Sequence, residues 1–115
     1  MNNRVYIAGK VTGDPDYRAK FAEASREVMD YAFFDRHGVE AAQAGWFNFE
    51  PVSPAALIPD GMRWHTAMIV CLAILVRCSH IYMLADWQES RGAKIEHRWA
   101  VALRKHIIYQ HRLKD

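Results

Sequence analysis

The stretch "QESRGAKIEHRWA", Gln88 to Ala100, carries a carboxylate where an apolar side chain is the usual occupant. Projected at about 100° per residue, Gly92, Trp99, Ala100 and Leu103 share the face of Glu96, while Lys94, Arg98 and Lys105 fall opposite. Glu96 is therefore expected to point inward. Removing an ionised carboxylate from water is costly unless something compensates, so the pattern demands a cationic partner or a pocket in which the group has a task. The structural alternative is a salt bridge to an arginine.

Two further sets of residues bear on that task. Ser90, Arg91 and Gly92 stand at the predicted start of the same helix, where backbone N–H groups attract anions and a glycine lets a phosphate come close. Equally, Ser90 caps the helix and Gly92 permits close packing. Tyr6 lies in a predicted strand on the side opposite Val5 and Ile7, from which its phenol can donate to the carboxylate of Glu96. Asp86 closes another predicted strand and is placed to contact a sugar hydroxyl or to act as an acid, although aspartate is also ordinary turn chemistry.

The elements that would bring these residues together read as follows. "RVYIAG" (4–9) has the β-branched and aromatic content of a strand, and "KVTGDPDY" is a loop with a Gly13-Asp14-Pro15 turn signal. Tyr17, Phe21, Ala24, Val28 and Ala32 recur at helical spacing from about 16 to 37, before Gly38. "WFNFEP" is a second strand, and "VSPAALIPDG" a loop with at most one helical turn. A helix capped by Asp60 is expected over about 62–77, a strand over 80–86, the helix of Glu96 over about 90–105, and a last strand at "IIYQ". Strand and helix thus alternate, which predicts an α/β fold: a parallel four-stranded sheet with helices on both faces. Such sheets bind ligands at the carboxyl ends of their strands. That rule selects the segments after the first three strands, and with them Gly9, Asp86 and Ser90.

Composition narrows the function classes. The 115 residues suit one domain, taken here as 1–115, with a hydrophobic content of 51% and a charged content of 24%. A formal charge of +2 gives no pull toward nucleic acid polymers or membranes. The longest apolar run, "AMIVCLAILV" at 67–76, is about half of what a bilayer span requires, and no signal-peptide pattern opens the chain, so a cytoplasmic protein is expected. Cys71 and Cys78 read as buried free thiols, and the six histidines form no metal-ligand spacing, so neither metal nor cofactor is expected. Trp46, Phe47, Trp64 and Trp87 offer flat surfaces for a base, but aromatics in small α/β proteins more often pack in a core or interface.

The blocks "VYIAGKVTGDPDY", "GMRWHTAMIVCLAIL", "CSHIYMLADWQESRGAKIEHRWAVAL" and "IIYQ" resemble a small bacterial and phage family related to the nucleoside 2-deoxyribosyltransferases. The likeness spans nearly the whole chain and is weakest over 38–60. It implies a flavodoxin-like or Rossmann-like α/β fold with strand order 2-1-3-4, assembly as a homodimer or higher homo-oligomer, and cleavage of the N-glycosidic bond of a small-molecule nucleoside or nucleotide. By motif position it implies Glu96 as nucleophile, Tyr6 as the residue that orients it, and Gly9 as the point where the nucleoside approaches. A serine six residues before the nucleophile characterises the branch that hydrolyses 5'-monophosphates, and Ser90 holds that place. Lys10 stands where many relatives have proline, and the transferases' longer C-terminal segment has no counterpart after "IIYQ". Two other classes remain open: a non-catalytic nucleotide-binding module with the same pocket, and an interaction protein whose helix 62–77, apolar on both faces, forms a subunit interface.

Overall fold

The computed structural model describes residues 4–29, 50–59 and 61–110. In chain order these form β1 (Arg4–Ala8), α1 (Tyr17–Met29), β2 (Glu50–Val52), α2 (Pro54–Leu57), α3 (Trp64–Val76), β3 (His80–Met83), a 3-10 turn (Trp87–Glu89), α4 (Arg91–Ala102) and β4 (His106–Tyr109). The sheet has the predicted order, β2-β1-β3-β4, and every pairing is parallel. The predicted continuation of α1 toward Gly38, the aromatic start of the second strand with Trp46 and Phe47, and the Asp60 cap all lie outside the described residues. Arg63 occupies the N-cap of α3 and makes no side-chain capping bond.

Alternation along β1 divides the core between the two faces. Val5 and Ile7 pack with Phe21, Ala24 and Val28 of α1 and with Tyr82 of β3. Tyr6 and Ala8 pack on the other side with Cys71 and Leu75 of α3 and with Ala93 and Ala100 of α4. The period of two, applied to a strand buried on both sides, is what sends Tyr6 toward α4. β1 sits between β2 and β3, and the chain leaves it toward one neighbour and returns to the other. The crevice of this sheet therefore opens where β1 and β3 end.

Helix α4 is cleanly bounded. Ser90 is its N-cap, with Oγ accepting from the Ala93 N–H at 3.1 Å. At the other end Lys105 N–H reaches the Ala100 carbonyl at 2.9 Å and Arg104 N–H that of Val101 at 3.1 Å, the paired bonds of a Schellman ending. Arg104 holds the left-handed position at φ 59°, a place that glycine fills without steric cost. The helix thus stops at Ala102 rather than continuing to Lys105.

One part of the projection fails. Glu96 and Ala100 are buried as expected, and Ala93 is buried with them, but Trp99 is 44% exposed and Leu103 43%. The buried stripe of α4 is narrower than the apolar one, because small residues at Ala93 and Ala100 bring the helix close to the sheet and leave the flank beyond them uncovered. α3 shows the same excess, with Ile69 and Val76 exposed and only Cys71 and Leu75 buried. No helix among the described residues is long and apolar enough to cross a membrane.

Candidate functional site

Beside the carboxyl end of β1, between the loop that follows it, the α2–α3 segment and the start of α4, lies a cavity of about 310 Å³, within the range of small-molecule sites. Its lining is mostly apolar, with Phe21 on the α1 side, Pro54 from α2, Trp64 and Met68 from α3, and Glu96 from α4 as the carboxylate. Glu96 is 6% exposed. The Tyr6 hydroxyl donates to its Oε2 in a short hydrogen bond, which is the partner that strand alternation suggested.

The electrostatics follow from that geometry. Burial pushes the Glu96 carboxyl up to about 7, against the opposing pull of the Tyr6 hydrogen bond, which favours the ionised form. No cation offsets the burial: Glu96 has no ion pair among the described residues, so the salt-bridge alternative does not hold there. Tyr6 is itself driven well above its ordinary range, first by burial and then by the negative charge of Glu96, so it remains a donor at any physiological pH. The pair places a carboxyl that titrates near neutrality at the wall of an apolar cavity. Such a group can act as a nucleophile when ionised and as an acid when protonated.

The other expected site residues divide. Gly9, Ser90 and Gly92 line the cavity with Glu96. Gly9 has a packing reason to be glycine, since a Cβ there would lie 2.7 Å from Leu84 Cδ1 and 2.9 Å from Leu84 Cβ. A Cβ on Gly92 would meet Met68 Sδ at 3.0 Å. Ser90 performs the capping role described above while its residue borders the cavity. Arg91 is exposed, and its guanidinium lies over the Trp64 ring, 4.7 Å from the centroid, beside a residue of the cavity wall.

Asp86 is placed differently from the expectation. It is not among the lining residues; its Oδ1 accepts from the Lys10 N–H at 3.1 Å and its Oδ2 is held in a short contact by Lys20 Nζ. Lys20 also donates to Asp14 Oδ2 at 2.6 Å and to the Lys10 carbonyl at 2.7 Å. Burial alone would depress Lys20, but the hydrogen bonds to Asp14 and Asp86 outweigh it and raise the ammonium above its ordinary value.

Three participants escaped the sequence reading. Lys20 stands in the first turn of α1, which contains no acidic residue, and a cation at the positive end of a helix dipole is itself a sign that carboxylates lie nearby. Cys71, read only as a buried thiol, borders the cavity, and burial raises its pKa. Met68 gives no signal in an apolar helix. Among the described residues no group of three or more His, Cys, Asp or Glu is arranged to hold a metal ion.

A profile described as "Domain of unknown function (DUF4406)" matches residues 3–109. The chain belongs to the DUF4406 family. No curated protein matches this DUF4406 chain in sequence. Among solved structures it is similar to the "2-desoxiribosyltransferase from Leishmania mexicana", with a TM-score of 0.63 and 15% identity over 93% of this chain. The DUF4406 chain spans 63% of that protein's chain. The likeness is one of fold: a nucleoside deoxyribosyltransferase-like parallel α/β sheet, in agreement with the resemblance read from the motifs.

Proposed function

We propose that this protein cleaves the N-glycosidic bond of 2'-deoxynucleosides or their 5'-monophosphates through Glu96. The observation that carries the reading is the uncompensated, buried carboxyl of Glu96, oriented by Tyr6 at the wall of a cavity of ligand size. Likeness of fold to a 2-desoxiribosyltransferase supports the same class of substrate.

In this reading ionised Glu96 attacks the anomeric carbon as the C–N bond breaks, and the base departs with the bonding electrons and takes a proton from solvent. The transition state is oxocarbenium-like, and a glycosyl ester of Glu96 results. Attack on that ester by water gives the free sugar and restores the carboxylate, while attack by a second base gives a new nucleoside. Tyr6 keeps one carboxylate oxygen fixed by hydrogen bonding, which leaves the other free to react. Gly9, Ser90, Arg91 and Gly92 would contact the substrate, with any 5'-phosphate at the start of α4. Assembly as a homodimer or larger homo-oligomer belongs to the same proposal, through the uncovered apolar flank of α3 and α4.

Incubation with deoxynucleosides and their monophosphates, followed by chromatography of the free base, tests this directly. Wild type is expected to release base and Glu96→Ala to lose that release by roughly 10⁶-fold, the scale seen when a nucleophile is removed. Equal release by both proteins removes Glu96 from the chemistry. Stabilisation by a nucleotide in a thermal shift without any base release favours the binding-module alternative.

A further inference from the structure

The loop between β1 and α1 forms one wall of the cavity, through Gly9, Val11 and Thr12, yet these residues contribute little side chain to the sheet. What holds the loop in place is a set of contacts that converge on one ammonium group. Lys20 Nζ meets the Lys10 carbonyl at the start of the loop, Asp14 Oδ2 at its end and Asp86 Oδ2 from the segment after β3. Asp86 grips the loop a second time through the Lys10 N–H. Asp14 shapes the loop's exit, with Oδ1 accepting from Asp16 N–H at 2.9 Å just after Gly13, whose φ of +81° sets the turn.

The anchor on the other side is fixed in turn. Ala85 N–H donates to Gln110 Oε1 at 2.9 Å, and Gln110 Nε2 donates to Glu27 Oε1 at 3.1 Å. Tyr82 hydroxyl donates to the same Glu27 oxygen at 2.6 Å. The segment carrying Asp86 is thus tied to β4 and α1 before it reaches Lys20. A lysine with its side chain 24% exposed and three oxygens around its ammonium is already occupied, and Asp86, its side chain 19% exposed, turns its carboxylate to Lys20 and to Lys10 N–H.

We propose that Lys20 and Asp86 are positioning residues: together they set the distance of the Gly9–Asp14 wall from Glu96, and so govern how tightly a substrate is held before the carboxylate. Asp86 then acts through the loop and donates no proton to the leaving base. This role presupposes the glycosidic reading given above. It assigns Lys20 and Asp86 to substrate fit, while the reactivity of Glu96 stays with Tyr6 and with burial.

The test combines Lys20→Met, which keeps the aliphatic stem, with Asp86→Asn, which keeps an acceptor for Lys10 N–H, and Lys20→Arg, whose guanidinium can still bridge two carboxylates. Amide hydrogen exchange over residues 10–14 reports on the wall without reference to activity. Lys20→Met is expected to exchange there roughly tenfold faster, with β1 and β3 unchanged and Lys20→Arg close to wild type. With the substrate that wild type cleaves, KM is expected to rise roughly tenfold in Lys20→Met and less in Asp86→Asn, while the pH midpoint of kcat stays that of wild type. Unchanged loop exchange, or a loss confined to kcat with a displaced midpoint, overturns the positioning role and leaves the glycosidic reading standing. Absence of base release by wild type on every nucleoside and nucleotide tried overturns the reading itself, and the assignment to substrate fit with it, whatever the loop does. If Lys20→Met does not fold, Asp86→Asn with the same two measurements decides.

Discussion

Glu96 and Asp86 are acids on the same rim of the sheet, and the protein treats them in opposite ways. Asp86 has an ammonium and a backbone N–H on its oxygens, so its charge is matched. Glu96 has a neutral phenol and a largely apolar surround, so its charge is opposed by burial and titrates near pH 7. Position at the crevice did not separate them, since both follow from the topological rule. Partners did: a carboxylate paired with a cation is a fastener, and one left to a hydrogen-bond donor in a dry cavity is available for chemistry.

The sharpest way to break that contrast is to remove the charge of Glu96 while keeping its shape. Its folded pKa, about 7, lies above the ordinary value of 4.5, so its favourable contribution is complete below about pH 4.5 and is lost as pH rises through 7. A shift of that size corresponds to about 3 kcal/mol between those limits. Glu96→Gln is therefore expected to flatten the fall in stability between pH 4.5 and 7.5 and to melt higher than wild type at pH 8. Denaturant titrations of both proteins across that range check this; parallel curves would show that Glu96 is hydrated in solution. The Lys20 cluster should contribute no such slope near neutrality. Asp14 is lowered, first by its hydrogen bond to Lys20, and loses its contribution only as pH falls below the ordinary carboxylate range; Lys20 is raised and loses its own only above the ordinary lysine range.

Tyr6→Phe sharpens the comparison from the other partner. The hydrogen bond that favours ionised Glu96 disappears, so the acid should titrate higher than in wild type and base release at pH 7 should fall by roughly 10- to 150-fold, about 1.5–3 kcal/mol for a hydrogen bond to a charged group. Much of the deficit should return at higher pH as the carboxyl ionises. A pH–rate profile of the two proteins measures both effects, and a uniform loss at all pH values would assign Tyr6 to geometry alone. The smallest expected change lies far from either acid: Arg104→Gly relieves a left-handed residue at the end of α4 and should stabilise the protein by up to about 1 kcal/mol, read as a rise in melting temperature with base release unaltered.

The contrast also marks where sequence reasoning reached and where it stopped. The inward face of Glu96 and the meeting of Tyr6 with it follow from periods of 2 and 3.6 applied to short segments, because those periods are properties of the backbone; the order of the sheet came with the family resemblance. The exposure of Trp99 and Leu103 did not follow. A helical projection gives direction but not how far the neighbouring helix and sheet extend to cover it. Lys20 was missed for a related reason: its three partners come from two loops whose paths are set by a glycine turn and by Gln110, not by a periodic pattern. Asp86 was expected at the crevice, but it does not line the cavity, and its direction depends on that same unforeseen lysine. The 3-10 turn at Trp87–Glu89, between the third strand and α4, likewise has no periodic signature.

Tyr6 and Glu96 stand 90 positions apart in the chain. The unusual acidity of this glutamate is thus a product of the completed sheet and of no local segment. During synthesis, before α4 has docked, the same residue is a hydrated surface carboxylate of ordinary strength.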